Sequence, residues 1–430
     1  MSIAAETSPN QGMAQAHEAF HAGDYPRALE FVEPLIKTTP HSPQLSRIKM
    51  LSLVRVGKTK EGVAEYNSFI QDLGREDESL LRELAIGSIV PFRTDMREQV
   101  RGAAYTALKE INSDEVIPYF EDGLSDGTGM VRALVAEGLG KLRKGLQSQR
   151  FQQALKDQAV LVRAAVLRGL GRSQDRSFLP LIEESLEDEH VVVQVLAAGA
   201  LFMLGDSRYW GRIEKAAQVE EGYERGAAFR MLGELGDPRA FPILIEGLKD
   251  RQPSIRASAV ASLAKLAMPE SVPLLIPLLS EPIPAVRSVT AVSLGKLTAE
   301  TAVPALMRAL KDPNPGVRAA AVDALLRLNS PYSVVARTVR GLIQSQNPGE
   351  RSSAARALSN GQARDVVETL AVLLDDPVPK PRITAARSLG RLGGRDVIPL
   401  LKKALGDPNE AVRATAGGAI ARILSHVPST

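Results

Sequence analysis

The chain has 430 residues, and its 53 Lys and Arg against 50 Asp and Glu leave a net charge of only +3, which excludes a general polycation. It has no cysteine, which excludes a disulfide framework and a thiolate metal site. No apolar run reaches the roughly 20 residues a membrane helix needs, and residues 1–12 are polar with no basic-then-apolar leader pattern, so a cytoplasmic protein with no membrane association is expected.

Residues 1–11 are expected to be a disordered N-terminus. From 12 to 74 the sequence repeats at 34 residues: Gly23 recurs as Gly57, Ala28 as Gly62 and Leu35 as Phe69, with Pro40 opposite Gly74. Two helical hairpins follow from that spacing. The series Ala16, Phe20, Gly23, Tyr25, Ala28, Leu29 and Pro40 resembles a tetratricopeptide (TPR) repeat. Two such hairpins bury little core alone and are expected to cap a longer array. The first hairpin carries His17-Glu18-Ala19-Phe20-His21. This is the H-E-x-x-H spacing, which sets two imidazoles on one helical face where they can hold zinc with the Glu as base. The motif lies within the packing positions of the hairpin, Gly23-Asp24 ends the helix at once, and no third ligand follows, so no metal site is expected.

From 75 to 425 another period takes over. Arg101, Arg132, Arg163, Gln194, Arg225, Arg256, Arg287, Arg318, Arg351, Arg382 and Arg413 lie 31 residues apart, except for one step of 33 between Arg318 and Arg351. A period in this range is the mark of a solenoid, in which each unit buries its apolar face against its neighbours. Seven residues after each landmark stands Leu108, Leu139 or an equivalent, ending with Ile420, two turns along the same helix face. The sixth and eighth positions are small, as at Gly138 and Gly140 or Gly169 and Gly171, which lets neighbouring helices approach closely. Six residues before the landmark an Asp recurs, often followed by Pro, and fourteen before it a Pro recurs, as at Pro180, Pro304 and Pro399. Each unit therefore reads as a Pro-bearing helix, an Asp turn whose carboxylate can accept helix-start N–H groups, and a second helix. About eleven units are predicted, followed by a tail at 426–430.

The segment Asp312-Pro-Asn-Pro-Gly-Val-Arg318-Ala-Ala-Ala-Val-Asp-Ala-Leu325 resembles the short HEAT repeats named after phycobilisome lyases. That resemblance implies an all-α, right-handed α-solenoid (α-α superhelix) of stacked helical hairpins. It also implies an Asp–Arg ladder between units, assigned to Asp126, Arg132, Asp157, Arg163, Asp250, Arg256, Asp312, Arg318, Asp376, Arg382, Asp407 and Arg413.

Four features bear on function. No His-Glu pair occurs in the HEAT-like array, which speaks against the di-iron hydroxylases of this fold, and no nucleophile triad or phosphate loop can be assembled; no catalytic residue and no cofactor are expected. Second, the fifth and ninth positions after the landmark are rich in cations: Lys141, Arg168, Arg172, Arg230, Lys265, Lys296, Arg327, Arg356, Arg387, Arg391 and Arg422, against Glu110, Glu137, Glu234 and Asp323. On a concave face these would form a positive groove for an acidic protein or, less favoured given the low aromatic content, a nucleic acid. The plainer explanation is that cations near helix C-termini complement the helix dipole. Third, the pattern breaks at Gln194, after which Phe202, Tyr209, Trp210, Tyr223 and Phe229 gather; Tyr209 and Trp210 are the expected single anchors for a partner. Fourth, the two extra residues in 331–349 read as a hinge or a longer loop. A non-catalytic scaffold or adaptor is the expected function, with a bilin lyase or isomerase component as the alternative that the family resemblance implies. The last helix, residues 411–424, has no following unit in sequence, so end-to-end or partner contact is expected there.

Overall fold

The computed structural model describes residues 9–39, 42–361 and 364–426. Of the expected disordered start, residues 1–8 lie outside this set, and residues 9–11 are already helical, within Pro9–His21. Pro40 and residues 427–430 of the tail also lie outside it. Every regular element among the described residues is an α-helix or a 3₁₀ turn. The chain divides into two compact units: residues 1–116 together with 389–430, and residues 117–388.

The first unit opens with four helices in two hairpins, Pro9–His21 with Tyr25–Thr38 and Pro43–Arg55 with Thr59–Leu73. Gly23 at φ +78° makes the first turn, a left-handed conformation that favours glycine. Asp24 then caps the next helix by accepting the Arg27 N–H at 3.2 Å. Ala16, Ala19, Ala28, Val32, Leu45 and Ile48 form the core between these helices. The 31-residue pattern begins with Glu78–Gly87 and Glu98–Ile111.

The same unit contains the end of the chain, and here the expectation of an uncovered last helix is corrected. Glu410–Ile423 packs directly on Glu78–Gly87 and Glu98–Ile111. A Cβ at Gly417 would lie 2.6 Å from the Ala85 carbonyl oxygen, and one at Gly418 would lie 2.9 Å from the Ala107 Cα. Only glycines permit so close an approach. Ion pairs rim the contact: Arg97–Glu410 at 3.4 Å, Arg391–Glu110 at 3.4 Å, Arg395–Glu78 at 3.1 Å and Lys402–Glu76 at 2.8 Å. Glu76 also accepts the Tyr66 hydroxyl at 2.7 Å. Val412, Ile420 and Ile423 are buried along this helix, each contributing roughly 1.5–3 kcal/mol.

The second unit consists of stacked units in a regular register. The first helices are short and often interrupted, because Pro stands in their first turn: Leu179–Glu183 runs into the 3₁₀ turn Glu184–Glu187, and Ser271–Leu275 is followed by Ile276–Ser280. Second helices pack through the small positions. A Cβ at Gly171 would lie 2.8 Å from the Ala200 Cα, one at Gly295 2.7 Å from the Ala324 Cα, and one at Gly140 3.0 Å from the Gly169 Cα. The eighth position of one helix thus meets the sixth of the next. The two extra residues near 331–349 do not form a longer loop. They lengthen the first helix, Tyr332–Ile343, which runs twelve residues without a break.

The ladder has a specific construction. Each landmark Arg donates to the carbonyl of the residue six before it, as Arg163 Nη1 to the Asp157 oxygen at 2.7 Å. It also pairs with the carboxylate 25 residues ahead, in the next unit. Arg132 reaches Asp157 at 2.7 Å, Arg163 reaches Asp188 at 2.7 Å, Arg225 reaches Asp250 at 3.0 Å, Arg287 reaches Asp312 at 2.8 Å and Arg351 reaches Asp376 at 2.6 Å. Arg256 pairs with Glu281, which stands where an Asp is expected. The same carboxylates accept the N–H two residues on, as Asp157 from Ala159 at 2.7 Å. Asp126, Asp250 and Asp407 make that turn contact too, while Arg382 and Arg413 hold the carbonyls of Asp376 and Asp407. For Asp157, Asp312 and Asp376 burial opposes ionisation, but the partner Arg, the backbone N–H and the second Arg together outweigh it, so all three carboxyls sit below the usual carboxylate range.

The ladder is interrupted twice. Gln194 keeps the carbonyl contact, to Asp188 at 2.7 Å, but offers no charge; Arg212 reaches its Oε1 at 3.1 Å and the Leu186 carbonyl at 2.7 Å, filling the gap. Arg318 hydrogen-bonds only to the carbonyls of Asp312 and Pro313, because position 345, where its carboxylate belongs, is Ser.

Candidate cationic site

The second helices of residues 117–388 carry the expected cations, and the structure sorts them. Arg327 is neutralised on its own helix by Asp323 at 3.0 Å. Arg172 and Lys265 share Glu234, each at 3.0 Å. Arg387 is half-buried and does not stand out on the face. Lys141 is exposed. Arg168, Arg230, Lys296 and Arg356 form no hydrogen bond or ion pair with a described residue. In the first unit, Arg391 is tied to Glu110. The stripe is therefore not uniform; most of its acidic exceptions neutralise individual cations.

The Arg172–Glu234 contact is informative about shape. These residues lie two units apart, on Val160–Gly171 (Arg172 being its C-cap) and Gly222–Leu235, with Val191–Met203 between them. Neighbouring helices lie 8–10 Å apart, so helices two units apart stand roughly 16–20 Å apart when flat. A 3.0 Å contact between their side chains requires this face to curve inward. One turn earlier on the same two helices stand Arg168 and Arg230, both at the fifth position. The intervening helix has Gly199 at that position and contributes no side chain between them; Met231 packs on its backbone. Tyr223, 68% exposed, stands at the start of the Arg230 helix.

The electrostatics agree with this placement. Desolvation and then the like charge of Arg168 hold the Arg230 guanidinium below the usual arginine range, although its side chain is open to solvent. Glu234 is opposed by burial, but Lys265, Arg172 and Arg168 together hold it below the usual range. One carboxylate thus lies in the field of three cations and is in contact with two of them.

Of the two expected aromatic anchors, Trp210 is corrected. Trp210 is only 9% exposed. Its ring lies 5.7 Å from that of Phe202 and is covered by the Arg239 guanidinium at 4.3 Å, which Asp237 holds at 2.8 Å. It fills the space of the irregular unit and presents no surface to a partner. Tyr209 is half-buried with Arg208 5.8 Å above it. The exposed ring of that region is Tyr223, which lies within the landmark helix, two residues before Arg225, and was recognisable only as one of several aromatics. On the first hairpin, His17 and His21 bring their Nε2 atoms within 3.1 Å on an exposed face, but among the described residues no three His, Cys, Asp or Glu gather as metal ligands. No helix among the described residues is long and apolar enough to cross a membrane.

Comparison with known proteins agrees with the fold. The family model described as HEAT repeats matches residues 211–295, 272–359 and 335–421. The chain is an all-α solenoid whose residues 211–421 are HEAT repeats. Similar solved structures include human deoxyhypusine hydroxylase in complex with glycerol, at 19% identity over 69% of this chain and 99% of that one, with a TM-score of 0.29. The complex of the two chains of phycocyanin lyase from Nostoc matches at 21% identity over 61% of this chain and 90% of that one, with a TM-score of 0.35. An engineered protein matches at 17% identity over 79% of this chain and 98% of that one, with a TM-score of 0.31. No curated protein matches the chain by sequence. These likenesses concern the fold alone.

Proposed function

We propose that this chain is a non-catalytic scaffold that binds an acidic partner protein on the second-helix face of residues 117–388. The observation that carries this reading is the pair Arg168 and Arg230. Two guanidiniums, from the same position of units two apart, share an inward-curving surface with no carboxylate of their own. Holding two like charges near one another without a paired anion is unfavourable to the free protein, and a ligand that supplies the missing negative charge recovers that energy. Charge of this kind also raises association rates and selects partners of opposite sign.

The test is binding of fluorescein-labelled poly-L-glutamate to the full chain, compared with Arg168→Glu and Arg230→Glu variants. Binding that is lost in both variants supports the reading, and binding that is retained removes it.

A further inference from the structure

The Arg168–Arg230 site also specifies the anion. This inference rests on the binding reading just given and goes beyond it. We propose that the group anchored between Arg168 and Arg230 is a doubly charged oxyanion, a phosphate monoester, rather than a single carboxylate.

Arg168, Arg172, Arg230 and Lys265 surround one carboxylate, Glu234, which leaves three uncompensated positive charges within two turns of helix. A carboxylate removes one of them. A phosphate monoester carries nearly two negative charges at neutral pH. Arg172 and Glu234 touch at 3.0 Å across the two-unit span, so the side chains one turn earlier on the same helices face each other across that span. Two guanidiniums placed on opposite sides of one ligand need acceptors on both of its sides. A carboxylate offers two oxygens in one plane, whereas a tetrahedral phosphate presents three terminal oxygens and can accept from both guanidiniums in the bidentate manner. Arg172 and Lys265 are already held by Glu234, while Arg168 and Arg230 have no hydrogen-bonded partner among the described residues. Tyr223, exposed at the start of the Arg230 helix, adds a hydroxyl and an aromatic surface on the same helix.

The experiment uses the full chain and three peptides of one sequence, Gly-Gly-X-Gly-Gly, where X is phosphoserine, serine or glutamate, with inorganic phosphate as a fourth probe. Each is titrated by calorimetry at matched ionic strength. The phosphoserine peptide is expected to bind at least about tenfold more tightly than the glutamate peptide, with serine silent. Arg168→Gln and Arg230→Gln should each weaken it at least about tenfold, and Arg230→Lys should recover only part, because an ammonium cannot make the bidentate contact. Arg327→Gln, a cation already neutralised by Asp323, should leave it unchanged. Inorganic phosphate binding as tightly as the phosphopeptide, with the same dependence on both arginines, supports the same oxyanion site and identifies the free ion as its ligand. Equal binding of phosphoserine and glutamate peptides, or phosphoserine binding that survives Arg168→Gln and Arg230→Gln, overturns the proposal. If poly-L-glutamate binding still depends on both arginines in that case, the scaffold reading stands and only the phosphate assignment falls.

Discussion

Arg172 and Glu234 meet at 3.0 Å although 62 residues separate them. A contact between side chains two units apart fixes the inward curve of this part of the solenoid, and it makes Glu234 the local regulator of charge, since Lys265 holds the same carboxylate. Glu234→Gln removes the one anion among four cations. It should tighten poly-L-glutamate binding by about threefold, the scale of a partly exposed charge pair, while the urea midpoint changes little because Arg172 and Lys265 are about half exposed. Unchanged or weaker binding would show that Glu234 does not compete with the ligand.

The ladder makes a prediction in acid. Asp157, Asp312 and Asp376 titrate below the usual carboxylate range in the folded chain. A depressed folded pKa contributes stability above the unfolded value, and that stability is lost as pH falls through the folded one. Urea midpoints should therefore hold from neutral pH to about pH 4 and fall steeply below it. Asp157→Asn, which leaves Arg132 buried and unpaired, should cost about 3 kcal/mol at neutral pH and flatten part of the acid limb. A midpoint that rises on acidification would contradict the ladder as a source of stability.

The interrupted rung offers the converse test. Arg318 has no carboxylate partner, and Ser345 occupies the position that Asp holds in other units, with its Oγ already accepting the Asn347 N–H at 3.1 Å. Ser345→Asp should complete the rung and raise stability by about 1 kcal/mol, read as a higher urea midpoint. A lower midpoint would mean that the longer helix Tyr332–Ile343 has moved this turn out of register.

The packing of the last helix is tested at Gly418. A Cβ there would lie 2.8 Å from the Ala107 Cβ and 2.9 Å from its Cα. Gly418→Leu should destabilise the chain by about 1–3 kcal/mol, whereas leucine at Gly102, where a Cβ meets nothing within 4 Å, should cost far less. Equal effects at the two sites would argue against the close approach of these helices.

Much of this was legible in the sequence for a physical reason. A repeated unit must bury the same face each time, so the landmark Arg, the Leu seven residues on and the small residues at positions six and eight recur visibly. Contacts between units follow from the same register, and the 25-residue step of the ladder is the period less six. What escaped were features that depend on departures from the repeat. Gly418 stands at the fifth position, where other units carry Arg168, Arg230 or Arg356, and that loss of a cation for a glycine was the available sign that the last helix is covered. Trp210 illustrates the opposite case: a lone tryptophan in an irregular unit looks like an anchor, yet its ring is buried against Phe202 beneath the Arg239 guanidinium. Pairing among the stripe cations was hidden because Glu234 reaches Arg172 across two periods, a separation that depends on curvature and not on pattern.

The central claim is that Arg168 and Arg230 form the binding centre of the solenoid face. Its most direct test is the dissociation constant of labelled poly-L-glutamate for the full chain and for the Arg168→Glu, Arg230→Glu double variant at fixed ionic strength, with circular dichroism to show that the helices are intact. The double variant should lose at least about a hundredfold in affinity, since two charge-assisted contacts are replaced by repulsion. Affinity within twofold of the unaltered chain, with the helical spectrum unchanged, would contradict the claim.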